Sequence, residues 1–170
     1  MIRLIGPLSV FIITAVGLHW AALVYTPTVI MDRALSTLKN RGVSEHAFTT
    51  PQRITPQTQA VVRSSPDLFY SLCRYDLSVP GSVLNVTMGE WPDYQSLSFF
   101  DAETNNFLTR RGSGKKVEVR LTGPETQAPS AEQSPSTRGV ILIRRLAPTQ
   151  ERFDLALDAA KADTCVLEGG

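Results

Sequence analysis

The chain has 170 residues, 42% of them hydrophobic, and a formal net charge of +1, enough for one ordinary globular domain with an appendage. So balanced a charge excludes the broad cationic surface that a nucleic-acid binder needs to neutralise phosphates, and no nucleic-acid partner is expected. Two histidines and two cysteines, all scattered, leave too few ligands for a zinc site, so neither a metal nor another cofactor is expected.

Leu4 to Met31 contains no Asp, Glu, Lys or Arg. Its uninterrupted part between Pro7 and Pro27 would span roughly 28 Å as a helix, close to the thickness of a hydrocarbon core. Trp20 and Tyr25 stand towards its far end, where amphipathic rings favour the interface. A cleaved signal peptide and a buried core helix compete with an uncleaved single-span anchor. The run is long for the first, lacks a clean small-residue cleavage site, and has no polar face for the second. The anchor is therefore the expectation. Arg3 marks the short end as cytoplasmic, whereas Arg33, Lys39 and Arg41 count the other way. The layout of a short tail before a sizeable domain favours export of the C-terminal part, which would place it in the periplasm of a bacterial inner-membrane protein. His19 is read as a neutral residue near the interface rather than a proton carrier.

Thr26-Pro27 suits a helix start, Ile30, Met31, Ala34, Leu35 and Leu38 recur at helical spacing, and Gly42 suits a C-cap. This predicts a helix over Pro27–Arg41 that continues or kinks away from the membrane. Ser44 to Gln59, rich in Thr, Pro and Gln, reads as an extended connector with His46 as a solvated loop residue. The chain thus divides into an anchor (1–31), a helical tether and connector (32–60) and a β-rich domain (61–170).

Ser64-Ser65-Pro66-Asp67 is a turn signal before an aromatic strand over Leu68–Leu77. A second strand follows over Ser82–Met88, with Leu84, Val86 and Met88 on one face, and a third over Tyr94–Phe100, with Leu97 and Phe99 on one face. Asn85-Val86-Thr87 forms a glycosylation sequon, weak evidence in mid-strand. Phe107-Leu108-Thr109 suits a short strand. The turn Arg110 to Lys116 carries four cations and reads either as a soluble hairpin tip or as a contact for anionic headgroups. Val117, Val119 and Leu121 alternate with Glu118 and Arg120 in a further strand. Residues 123–139, with three prolines among polar residues, predict a mobile loop. Val140–Ile143 predicts a strand buried on both faces. Pro148-Thr149 opens a helix with Phe153, Leu157 and Ala160 on its apolar face, ending near Asp163 or Thr164. The expected fold is mainly β: an antiparallel sandwich or partial barrel with a C-terminal helix, behind an N-terminal transmembrane helix.

Cys73 and Cys165 are either a disulfide, if the domain is exported, or two buried thiols. Cys73 is a poor nucleophile candidate, since a mid-strand cysteine is usually buried and inert.

The segment Ser65-Pro66-Asp67-Leu68-Phe69-Tyr70-Ser71, the later Asp76-Leu77 pair, Tyr94-Gln95-Ser96-Leu97-Ser98 and the polar run Asp101 to Asn106 together resemble the bacterial domain-of-unknown-function 1254 family, over about residues 50–148. The resemblance implies a β-rich domain of unknown activity, with the anchor and short length resembling its small membrane-tethered members. Larger members carry a second domain of the domain-of-unknown-function 1214 family, which implies a separately encoded protein of that family as partner. Ser65 and Leu68 depart from the family's Asn and Thr.

Two functions follow. The first is a non-catalytic envelope protein whose β-domain binds a partner protein or small ligand. The second is an enzyme or enzyme subunit acting on an envelope or imported substrate, with Asp67, Tyr70, Arg74, Asp76, Asp101 and Asn105 as candidate groups. Asp67, Tyr70 and Asn105 are the expected binding residues. Asp67 and Asp76 stand nine residues apart along one strand, about 30 Å, too far to act as a paired acid and base.

Overall fold

The computed structural model describes residues 5–54, 64–112 and 114–169. Arg3, the end of the connector to Gln59, the expected division at 60/61, Arg63 and Ser113 lie outside them.

The N-terminal helix α1 (Ile5–Asn40) runs unbroken for 36 residues, about 54 Å. The predicted anchor and tether are thus one helix. Pro27 lies inside it, although proline removes a backbone donor from the ladder. None of its most apolar 18-residue window is buried; burial begins at Met31. The helix stops where the sequence says it should. Gly42 has φ +78°, Val43 N donates to Leu38 O at 3.0 Å and Gly42 N to Lys39 O at 3.0 Å. This is the paired-bond termination that a left-handed glycine permits, with Val43 turned into a buried position.

The strands are β1 (Leu68–Asp76), β2 (Val83–Met88), β3 (Gln95–Phe100), β4 (Asn106–Gly112), β5 (Val117–Thr122), β6 (Glu132–Gln133), β7 (Arg138–Leu146) and β8 (Thr164–Glu168). They form two four-stranded sheets: β1-β7-β3-β4, here sheet A, and β6-β5-β2-β8, here sheet B. Every pairing is antiparallel except β5 with β6. The alternation of buried and half-buried residues along β1 and β2 marks one inward face on each sheet. Cys73, Tyr75, Leu97, Phe99, Ile141 and Ile143 from sheet A pack with Leu84, Val86, Met88, Val119, Leu121 and Cys165 from sheet B in one core. Of the two architectures that the alternating pattern predicts, a sandwich or a partial barrel, the fold is the sandwich.

The helix α2 (Gln150–Ala159) follows, with Thr149 Oγ1 accepting from Arg152 N at 3.2 Å as its cap. It plugs one end of the sandwich. Phe153 and Ala156 pack with Phe69, Trp91 and Ala147, and the Phe153 and Phe69 rings meet edge-on at 5.1 Å. The helix is shorter than expected, giving way to a 3-10 turn at Ala160–Ala162, and Leu157 is exposed rather than inward. One strand that the sequence does not predict, β8, follows the helix. It pairs with β2 from Glu168↔Val83 to Thr164↔Thr87.

Two further segments differ from expectation. The connector pairs with the free edge of β1, through Thr49 N to Leu72 O at 2.8 Å, Leu72 N to Thr49 O at 2.9 Å and His46 N to Arg74 O at 2.9 Å. An edge strand that would otherwise expose its backbone donors is thereby covered by the chain's own preceding segment. Within 123–139, where a mobile loop is expected, Glu132–Gln133 forms β6 and Ser134 is fully buried, its N donating to Thr122 O at 2.9 Å.

Candidate functional site

The β1–β7 register runs from Leu68↔Leu146 to Asp76↔Arg138, and β3 lies on the other side of β7 from Gln95↔Arg145 to Phe100↔Val140. Asp67 and Tyr70 therefore sit at the α2 end of sheet A, whereas the Asp101–Asn105 turn follows Phe100 at the Asp76 end. The expected binding residues do not converge: Asp67 and Asn105 are separated by the length of β1, about 30 Å.

Each candidate is bonded locally. Tyr70 Oη accepts from Ser65 N at 3.0 Å, and Asp67 N donates to Ser65 Oγ at 3.3 Å, which shapes the turn into β1. Asp101 is buried and closes its own turn. Its Oδ1 accepts from Glu103 N and Asn105 N at 2.9 and 2.8 Å, and its Oδ2 from Asn105 Nδ2 at 2.9 Å. Asp76 Oδ1 accepts from Ser78 N at 2.9 Å. Arg74 donates through Nε to Val43 O at 3.0 Å and pairs with Glu45 at 3.3 Å. His46 is not a solvated loop residue. It is half-buried, with Nε2 3.0 Å from Asp76 N and 2.9 Å from Asp76 O, which pins the connector to the end of β1. Among the described residues no three His, Cys, Asp or Glu side chains gather as a metal site would require.

A cleft of about 180 Å³ opens between α1 and the edge of sheet A, lined by Leu35, Lys39, Glu45, Arg74, Asp76 and Arg138 among others. Its arginines are already matched, Arg74 by Glu45 and Arg138 by Asp32 at 2.8 Å. With Met31 and Val43 buried nearby in sequence, this is where the long helix is fastened to the domain. The helix therefore leaves the domain at its Asp76/Arg138 end. The cationic turn after β4 lies at the other end, because Gly112 pairs with Gln95. Six residues of β3, about 20 Å, separate the two, so the headgroup contact entertained for Arg110–Lys116 finds no support in this geometry.

The polar groups that sequence reasoning missed are interior ones. Arg145 on β7 and Asp163 after the 3-10 turn form a bidentate pair at 2.7 and 2.6 Å with neither side chain exposed. Asp163 Oδ1 also accepts from Gly89 N at 2.9 Å. A Cβ at Gly89 would stand 2.9 Å from Ala162 Cβ, so glycine is what lets the turn approach. At the Asp76 end, Tyr75 Oη donates to Phe100 O at 3.2 Å and lies 3.0 Å from Ser134 Oγ. A Cβ at Gly139 would stand 2.5 Å from that hydroxyl and 2.0 Å from Phe100 O.

Burial pushes the Tyr75 hydroxyl up from 10.0 to about 12. Because the folded value is the higher one, its contribution is fully present below pH 10 and is lost as pH rises through about 12. Two pH units correspond to roughly 3 kcal/mol. Stability should therefore fall steeply between pH 10 and 12, with tyrosinate absorbance appearing together with unfolding. Ionisation of all tyrosines below pH 11 in a still-folded protein would contradict this.

Residues 46–164 match a family described as proteins of unknown function, DUF1254. No functionally curated protein matches the chain. Its fold is similar to the crystal structure of a Vibrio parahaemolyticus protein, with a TM-score of 0.61 and 12% identity over 84% of this chain and 35% of that one. It is also similar to that of an uncharacterized Burkholderia cenocepacia protein, with a TM-score of 0.50 and 13% identity over 72% of this chain and 35% of that one. The chain thus spans about a third of the length of each. At such identities the likeness speaks to the fold alone. The match over residues 46–164 runs from the connector residue that clips β1 to the first residue of β8, and on it the chain belongs to the DUF1254 family.

Proposed function

We propose that this protein is a single-pass component of the bacterial inner membrane whose β-sandwich lies on the periplasmic side and binds a partner protein or small ligand. The observation that carries the reading is the Cys73–Cys165 disulfide, which joins β1 of sheet A to β8 of sheet B inside the core. Such bonds form and persist in oxidising compartments, and this outweighs the ambiguous distribution of cations around the span. Retention of the helix as an anchor is supported by its lower third, which belongs to the domain through Met31 and the Asp32–Arg138 pair. Removing the helix as a signal peptide would leave that dock on a short stub. Binding rather than catalysis is supported by the dispersal of the polar candidates, each tied up in a turn or an ion pair. The similar solved structures are chains more than twice as long, which suits a second protein, of the domain-of-unknown-function 1214 family, supplying the remainder.

A C-terminal alkaline phosphatase fusion tests the topology, since that enzyme is active only after export. The expected result is an active fusion, with Cys73 and Cys165 resistant to alkylation in denatured, unreduced membranes. An inactive phosphatase fusion beside a fluorescent cytoplasmic reporter would overturn the placement. Purification from solubilised membranes should recover a second protein.

A further inference from the structure

The outer face of sheet A carries a polar stripe across four strands at the α2 end. Ile141, Ile143 and Arg145 point inward from β7, so Arg144 points out. The register sets Tyr70 of β1 on one side of Arg144 and Ser96 of β3 on the other, with Arg111 of β4 beyond Ser96. Arg144 Nη2 donates to Ser98 Oγ at 3.1 Å, and Tyr94 Oη donates to Ser96 Oγ at 3.2 Å. These two side chains lie over serines that are themselves almost fully buried, Ser98 at 0% and Ser96 at 1% exposure. Tyr94 is 44% exposed.

The charge on this half of the face is unmatched. Arg74 and Arg138, two and three rows away along the same face, are paired with Glu45 and Asp32. Among the described residues neither Arg144 nor Arg111 pairs with a carboxylate. Arg144 is half-buried, with Nε enclosed and without a hydrogen-bond partner, so its terminal nitrogens are the ones that face outward to recognise an oxyanion. The two guanidinium groups arise two strands apart, about 10 Å, with β3 between them and Tyr70 on the far side of Arg144. That spacing suits carboxylates on alternate rings of a linear polyuronate better than a single phosphate, which needs converging donors.

We propose that the outer face of sheet A binds an acidic glycan, with Arg144 and Arg111 pairing to uronate carboxylates and the Tyr70 and Tyr94 rings lying beneath the sugars. This deepens the binding reading above and rests on it.

The test is titration of the full chain in detergent micelles with polygalacturonate, neutral dextran and inorganic polyphosphate. Arg111→Gln and Arg144→Lys are measured alongside, with thermal unfolding to show that each is folded. Polygalacturonate should bind in a salt-sensitive manner, dextran should not, and each variant should weaken binding by about tenfold or more. Silence with polygalacturonate overturns the assignment, as does equal binding of dextran, binding of polyphosphate alone, or wild-type affinity in both variants. Recovery of a partner protein from membranes alongside such a result would leave the broader binding reading standing while the glycan assignment fails.

Discussion

Replacing Asp163 with alanine should lower the stability of the sandwich by about 3–5 kcal/mol, the cost of leaving a buried charge without its partner. For a domain of this size that is a fall of more than about 10 °C in the unfolding midpoint. The carboxylate takes both Arg145 bonds, the Gly89 amide at 2.9 Å and the Ser71 hydroxyl at 3.4 Å. Four segments thus meet on one side chain: β1, the turn after β2, β7 and the residue before β8. With alanine in place, the guanidinium keeps only Gly89 O at 3.4 Å, and its side chain is 0% exposed. The pair itself is a different quantity from the cost of breaking it. Replacing both residues, as Arg145→Met with Asp163→Leu, should recover much of the loss, because apolar packing can substitute for a buried ion pair. Thermal unfolding of wild type, both single variants and the double variant measures this coupling. An Asp163→Ala protein within about 1 kcal/mol of wild type would show that the site admits water or relaxes, and the argument would fail.

The same pair shows where sequence reading stops. Alternation made β1, β2 and β5 legible, because a sheet with one buried face imposes a period of two on its side chains. It failed at β7, where Arg144-Arg145 looked like the end of an apolar strand. Arg145 in fact continues the inward row of Ile141 and Ile143, and its charge is met by Asp163, a residue with no periodic relation to it. It failed again at β8, where Cys165 and Leu167 alternate over only five residues after a helix. The candidate site fared similarly. Asp67 and Asn105 stand in turns and Tyr70 near the start of β1. Strand order decides which turns share an end, and β7, from the far end of the chain, lies between β1 and β3. The stripe of Tyr70, Arg144, Ser96 and Arg111 exists only in that register.

Removing the disulfide by Cys73→Ala with Cys165→Ala should cost about 4–5 kcal/mol on the chain-entropy account, since the bond closes a loop with a sequence separation of 92. The effect should be uneven across the fold. β8 is an edge strand held by β2 alone, and Cys165 is its fully buried contact with the opposite sheet. Without the bond, amide exchange should accelerate most in Thr164–Glu168, and then in the β2 amides that β8 covers, with β3 and β7 least affected. In the intact protein both sulfurs are shielded, with their residues 0% and 1% exposed. Reductant should therefore act only as fast as the domain opens, and protein made in a reducing compartment should melt at the temperature of the double variant. Denaturant unfolding with exchange mass spectrometry checks both statements; a double variant with unchanged midpoint and unchanged exchange in β8 would refute them. Asp163 and Cys165 stand two residues apart, and one ties the end of the chain to β7 while the other ties it to β1. Once either tie is cut the segment that carries the other can move. The combined loss in a protein lacking both should therefore fall short of the sum of the two losses measured separately.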